Sequence, residues 1–264
     1  MHLNRHDIRA PLVARAIEDA AEARQAIAEA KALLFDWDGC AAIADRPEPA
    51  ALALMSARPD AFAIVSNNTS HGRGFFTDRL RTGGILVEPE RVILAGVETL
   101  RRARHLAPRR TLLLASPRME EAARRMGLEL GPDDPDLVVL LRDTRFSYAK
   151  LTQAANALRR GVRLLVGNPD RTHPSTEGRV MPETGALLSA LLTCVEPVPV
   201  HLEVVGKPHP TLFRRACEVL GVAPHEAVMI GDNPDTDVAG AAPLGLRCIL
   251  VDGPGGLTLS DLVA

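Results

Sequence analysis

The chain's strongest constraint on its own fold is a series of short apolar runs, most of them continuous rather than alternating. They occupy residues 32–36, 61–66, 92–95, 111–115, 137–141, 162–166, 227–231 and 248–251. Continuous runs of this length fit parallel strands buried on both faces. Between most of them lie stretches with helical spacing, for example 119–126, 148–160 and 211–220. That alternation predicts an α/β fold with a parallel sheet. Several runs end in small or acidic residues followed by a loop. In open sheets of this kind, ligands gather at the carboxyl ends of the strands.

Composition narrows the options. With 264 residues the chain suits one large or two modest domains. A net charge of -2 gives no global attraction to nucleic acid or membrane, and 3% aromatics leaves little for base stacking. No apolar run nears the roughly 20 residues that span a bilayer. The first residues contain no continuous apolar segment of the signal-peptide kind. Cys40, Cys194, Cys217 and Cys248 show no C-x-x-C spacing, which predicts reduced thiols in a cytoplasmic protein. Residues 11–31 are Ala-rich with apolar positions near helical spacing, and predict a helix with Pro11 in its first turn. Such a helix can pad the core or mediate dimerisation.

Four constellations carry chemistry. The first apolar run ends in Asp36-Trp37-Asp38-Gly39. One Asp suits a turn; two flanking a single residue suit a nucleophile and a general acid/base, since a carboxylate attacks phosphorus and splits a hard step in two. The run ending at Gly231 opens into Asp232-Asn233-Pro234-Asp235-Thr236-Asp237. Crowded carboxylates of this kind are resolved by a hard divalent cation such as Mg2+. Ser66-Asn67-Asn68-Thr69-Ser70 ends another run with groups that hydrogen-bond phosphate. Gly206-Lys207-Pro208 offers a point positive charge. Each alone also fits a capped helix or a solvated loop.

In this order, D-x-D-G, S-N-N, G-K-P and G-D-x-x-x-T-D, the motifs resemble the haloacid dehalogenase superfamily of phosphohydrolases. The likeness runs from about residue 31 to 251 and is greatest to the C2-capped, NagD-like subclass. It implies a Rossmann-like parallel-sheet core, 31–95 and 201–264, with an inserted α/β C2-type cap, 96–200, and 1–30 left as an N-terminal helical extension. It implies a Mg2+-dependent phosphatase acting on small phosphorylated metabolites through a phospho-aspartate. By this resemblance Asp36 is nucleophile and metal ligand. Asp38 is general acid/base and binds the metal through its backbone carbonyl, and Asp232 is a further ligand. Ser66, Asn67 and Asn68 hold the phosphoryl group, Lys207 neutralises charge, and Asp237 orients Lys207 or metal-bound water. The second acid, Asp38, separates phosphoryl chemistry from halide displacement. Related caps often build dimers, so a homodimer is expected.

Within the cap, Gly167-Asn168-Pro169-Asp170 follows a strand, as in NagD-like caps, and makes Asn168 and Asp170 candidate contacts to the leaving group; an ordinary Asn-Pro turn is the rival reading. Arg171 and His173 are weaker candidates. Cys40, Ala41 and Ala42 stand where the family carries bulkier residues, which either widens the entrance or reflects drift in a packed turn. Trp37 fits core packing better than substrate stacking. His71 fits a helix start better than catalysis. A dinucleotide-binding fold would need G-x-G-x-x-G after the first strand, where this chain has D-W-D-G-C. A phosphomutase would need a helical cap between Asp38 and Ser66, and that gap is short. A non-catalytic binding module of the same fold would lack the set Asp36, Asp38, Lys207 and Asp232.

Overall fold

The computed structural model describes residues 16–174 and 179–263. The core sheet has the order Arg247–Leu250, Ala227–Gly231, Ala32–Phe35, Phe62–Ser66, Val92–Leu94, all parallel. Side chains alternate across it with period two. Leu33, Phe35, Phe62, Ile64, Val228 and Ile230 face helices Ala20–Glu29, Pro49–Ala57 and Arg73–Thr82. Ala32, Leu34, Ala63, Val65 and Met229 face helix Thr211–Leu220. Burial on both sides explains why these strands read as unbroken apolar runs.

A second parallel sheet has the order Leu202–Val204, Arg163–Val166, Leu137–Leu140, Thr111–Leu114. Helices Tyr148–Arg159 and Thr184–Val195 cover one face. Helices Ala95–His105 and Pro117–Arg125 cover the other. An antiparallel hairpin, Thr172–Pro174 with Val180–Pro182, stands beside it.

Two expectations change. The segment before Ala20 is not helical where it is described: Ile17 is bound in parallel to the core's edge strand, its N–H donating to Cys248 O (2.8 Å) and its carbonyl accepting from Leu250 N (3.0 Å). The edge strand offers unpaired backbone groups. Asp19 then caps the helix by accepting from Glu22 N at 2.8 Å, which fixes its start at Ala20. Residues 11–15 lie outside the described part of the chain. The other change is at the far end of the insertion. Strand Leu202–Val204 was not among the expected runs, because its residues alternate in polarity at a sheet edge. It pairs with Arg163–Val166, and the ladder continues through Val205 N to Val166 O (3.0 Å) and Gly206 N to Gly167 O (2.8 Å). The second sheet therefore runs past residue 200 and stops one residue short of Lys207.

Candidate active site

Strand Ala32–Phe35 is where the core's strand order reverses: the chain moves outward from it on one side to Phe62–Ser66 and returns on the other through Ala227–Gly231. Ligands bind at such a switch point. Phe35 pairs with Ile230, so the loops carrying Asp36 and Asp232 leave the sheet side by side. Carboxylate oxygens of Asp36, Asp232 and Asp237 lie within 4.8 Å of one another. Two glycines permit this crowding. Gly39 has φ +89°, and a Cβ there would lie 2.5 Å from Asp232 Oδ2. A Cβ on Gly231 would lie 2.3 Å from Asp237 Oδ2.

Lys207 is buried among these acids. Its Nζ donates to Asp36 Oδ1 at 2.7 Å and to Asp237 Oδ1 at 2.6 Å. Burial alone would lower the lysine's pKa, but Asp237 and Asp36 outweigh it and hold the ammonium charged well above its ordinary range. Asp237 Oδ2 accepts from Asn233 N at 3.2 Å, so both its oxygens are engaged. Asp232 lies within 4.8 Å of Asp36 through a carboxylate oxygen, and its own buried Oδ1 has no hydrogen-bond partner among the described residues. An orphaned buried carboxylate oxygen is costly. Burial, then Asp36 and Asp237, push Asp232 up to about 7. A divalent cation would satisfy this oxygen and relieve the repulsion, so the donor set fits a hard metal ion. Desolvation in the cleft, with Asp36 and Asp45, pushes Asp38 up to about 7 as well. Its side chain still reaches solvent at the cleft mouth, and screening tempers that shift.

Ser66 is buried at the end of its strand, and its Oγ accepts from Asn68 N at 3.1 Å. Asn68 Oδ1 accepts from Ser70 N (3.0 Å) and His71 N (2.9 Å), which curls the loop. Asn67 reaches the insertion: its Nδ2 donates to Asp170 Oδ2 at 3.0 Å. Asn168 is buried, donating to Asn67 O at 2.7 Å and accepting from Asp170 N at 3.1 Å.

The model of the family described as haloacid dehalogenase-like hydrolase matches residues 30–245. This chain belongs to that family. The hydrolase is 30% identical over 273 residues to the human glycerol-3-phosphate phosphatase, covering 90% of this chain and 84% of that one. Among solved structures, it resembles the p-nitrophenyl phosphatase from Archaeoglobus fulgidus with a TM-score of 0.76 at 28% identity, covering 84% of this chain and 86% of that one. It also resembles a glycerol phosphate phosphatase from Mycobacterium tuberculosis in complex with calcium, with a TM-score of 0.75 at 27% identity, covering 90% and 76%.

The remaining sequence candidates fall into place around this centre. Trp37 is fully buried and packs edge-to-face on Phe76 at 5.1 Å, which makes it a core residue. His71 precedes helix Arg73–Thr82 and stacks on Phe75 at 4.2 Å. Cys40, Ala41 and Ala42 do not widen the entrance: all three are buried in a packed turn that leads into the antiparallel pair Ala42–Ile43 with Arg46–Pro47. The Cys40 thiol donates to Ile230 O at 3.4 Å, and burial, then Asp36, pushes its pKa far up, so it stays a thiol. Arg171 is exposed. His173 Nδ1 lies 2.7 Å from Glu183 Oε1, and Arg142 Nε lies 3.4 Å from the same oxygen. Arg142 and Glu183 carried no signal in the sequence, being single charges with no motif spacing. Thr69, named in the sequence among the groups that hydrogen-bond phosphate, turns instead to the insertion: its Oγ1 accepts from Arg142 N at 3.1 Å and lies 3.3 Å from Thr184 Oγ1. Among the described residues no helix is long and apolar enough to cross a membrane.

Proposed function

We propose that this hydrolase is a Mg2+-dependent phosphatase of small phosphorylated metabolites, working through a phospho-aspartate on Asp36. The observation that carries this reading is the buried ammonium of Lys207 on Asp36, set opposite the unpartnered Asp232 oxygen. The free oxygen of Asp36 attacks phosphorus, the ester P–O bond breaks, and Asp38 delivers a proton to the departing oxygen. Water then attacks the acyl phosphate with Asp38 as base, releasing phosphate and restoring Asp36. An acid/base group held near neutral pH is suited to both halves. Lys207, Ser66 and the Asn67 backbone face the phosphoryl oxygens, where charge accumulates. Mg2+ held by Asp36, Asp232 and the Asp38 carbonyl would supply positive charge to those oxygens. The inserted sheet caps the site and restricts it to small substrates. The human and mycobacterial relatives named for glycerol phosphate support that substrate class.

A phosphate-release screen over small phosphomonoesters, with Mg2+ and with a chelator, tests this. Metal-stimulated release that disappears in Asp36→Asn supports it; no release from any ester in Mg2+ overturns it.

A further inference from the structure

The Lys207 side chain is held by two acids of the core, but its backbone stands at the seam between the core and the inserted sheet. On one side, the edge strand Leu202–Val204 continues to Gly206, whose N–H donates to Gly167 O at 2.8 Å. That is the last ladder bond before the lysine. On the other side, Asn67 of the core grips the lysine's backbone. Lys207 N donates to Asn67 Oδ1 at 2.7 Å, and Asn67 Nδ2 donates to Lys207 O at 3.0 Å. The second hydrogen of the same Nδ2 goes to Asp170 Oδ2 of the insertion at 3.0 Å. Asn168 closes the ring by donating to Asn67 O and accepting from Asp170 N.

Every polar atom of the Asn67 amide is therefore committed, two of its three bonds to the lysine's backbone and one to the cap. The ring is also sterically tight. A Cβ on Gly206 would lie 2.4 Å from Gly167 O and 2.6 Å from Asn67 Oδ1, so only glycine lets the three loops meet. A rigid displacement of the cap would pull Gly206 through Gly167, and Asn67 through Asp170 and Asn168. Both motions act on residue 207.

We propose that Asn67 is a positioning residue that couples the seating of the cap to the placement of Lys207. In this arrangement Asn168 and Asp170 serve the lysine rather than the leaving group. The proposal rests on the phosphatase reading above, since the charge of Lys207 matters most at the transition state of phosphoryl transfer. An interaction made mainly there lowers kcat and leaves KM nearly unchanged when it is lost.

The test uses the full chain with Mg2+ and two substrates of different leaving group, glycerol 3-phosphate and p-nitrophenyl phosphate. Asn67→Ala is expected to lower kcat by roughly 10–100-fold, the scale seen when a supporting contact at a catalytic centre is removed. Asp170→Ala is expected to lower kcat less, by the same factor for both substrates, with KM within about two-fold. The double variant should be no slower than Asn67→Ala, because both act through one contact chain. Asp170→Asn keeps an oxygen for the Asn67 N–H and should lose less than Asp170→Ala. An Asp170→Ala loss confined to one substrate, or appearing in KM alone, would assign Asp170 to the leaving group and overturn the proposal. Unchanged kcat in Asp170→Ala, or multiplicative losses in the double variant, would overturn it too. If Asn67→Ala does not fold, the Asp170 pair decides. A wild-type protein that releases phosphate from no ester of the screen in Mg2+ defeats the phosphatase reading itself, which is a separate outcome; if it hydrolyses other esters only, the two best of those with different leaving groups take the place of this pair.

Discussion

Gly39→Ala is expected to weaken divalent-metal binding and, by a separate cause of similar size, the fold. The added Cβ would lie 2.5 Å from Asp232 Oδ2, about 0.9 Å short of ordinary contact at 3.4 Å. Asp232 follows a five-residue buried strand and cannot retreat into the sheet, so its carboxylate must rotate away or the Asp36–Asp38 loop must lift. Either shift is several times the ~0.2 Å tolerance of a metal–oxygen distance. An apparent Mg2+ affinity lower by roughly 10–100-fold follows, on the scale of losses when a ligand's support is removed. The left-handed φ of +89° adds strain of about 1–2 kcal/mol for alanine, equivalent to a fall of about 2–8 °C in Tm for a chain of this size. Thermal melts across a Mg2+ titration read both effects at once. Gly39→Asn separates them, because Asn enters the left-handed region more readily while carrying the same Cβ. It should regain part of the Tm and none of the metal affinity. If Gly39→Ala melts lower but half-saturates at the wild-type Mg2+ concentration, the close approach of residue 39 to Asp232 does not govern the metal.

Lys207→Met should destabilise the metal-free protein by about 3–5 kcal/mol, because it leaves Asp36 and Asp237 buried without their cation; equal denaturant midpoints for variant and wild type would refute this. Asp38 and Asp232 are both pushed up to about 7 in the fold, against about 3.9 in an unfolded chain. The folded state thus holds more protons across that interval, so stability of the metal-free protein should fall as pH rises from about 4 to 7 and then level off. Mg2+ competes with those protons, so the rise in Tm that it produces should grow from pH 5 to pH 8; a metal-induced shift independent of pH would contradict the assignment. Trp37→Phe should lose roughly 1–3 kcal/mol through the cavity left by the smaller ring and leave KM for every substrate unchanged, since the indole packs in the core on Phe76; a substrate-dependent KM would show that the ring reaches the cleft.

Much of the site was legible because each of its parts is local. A continuous apolar run specifies a strand buried on both faces, and the residues that follow it must emerge at the strand's carboxyl end. Asp36, Ser66 and Asp232 could be placed at one edge of one sheet on that basis. Local pattern failed where a segment's fate depended on a distant partner. The Ala-rich segment reads as helix throughout, yet Ile17 pairs with Ile249 because the edge strand had open backbone groups to offer. Leu202–Val204 is too short and too polar to announce itself, and becomes a strand only because Arg163–Val166 lies beside it. The small residues after Gly39 suggested room, but they are buried in a packed turn.

The sequence by itself determined the chemistry available to this protein: which acids, which lysine and which hydroxyl and amide groups stand at strand ends. Tertiary structure alone decided their connections. That Asn67 spends its amide on the lysine's backbone and on Asp170, and that Glu183 draws in Arg142 and His173, follows from contacts across a hundred residues or, for Arg142 and His173, from loops that only packing brings together. The physical reason is range. Strand and turn preferences act over a few residues, whereas a hydrogen bond between loops exists only once two sheets have docked and excluded the water that would otherwise satisfy both partners.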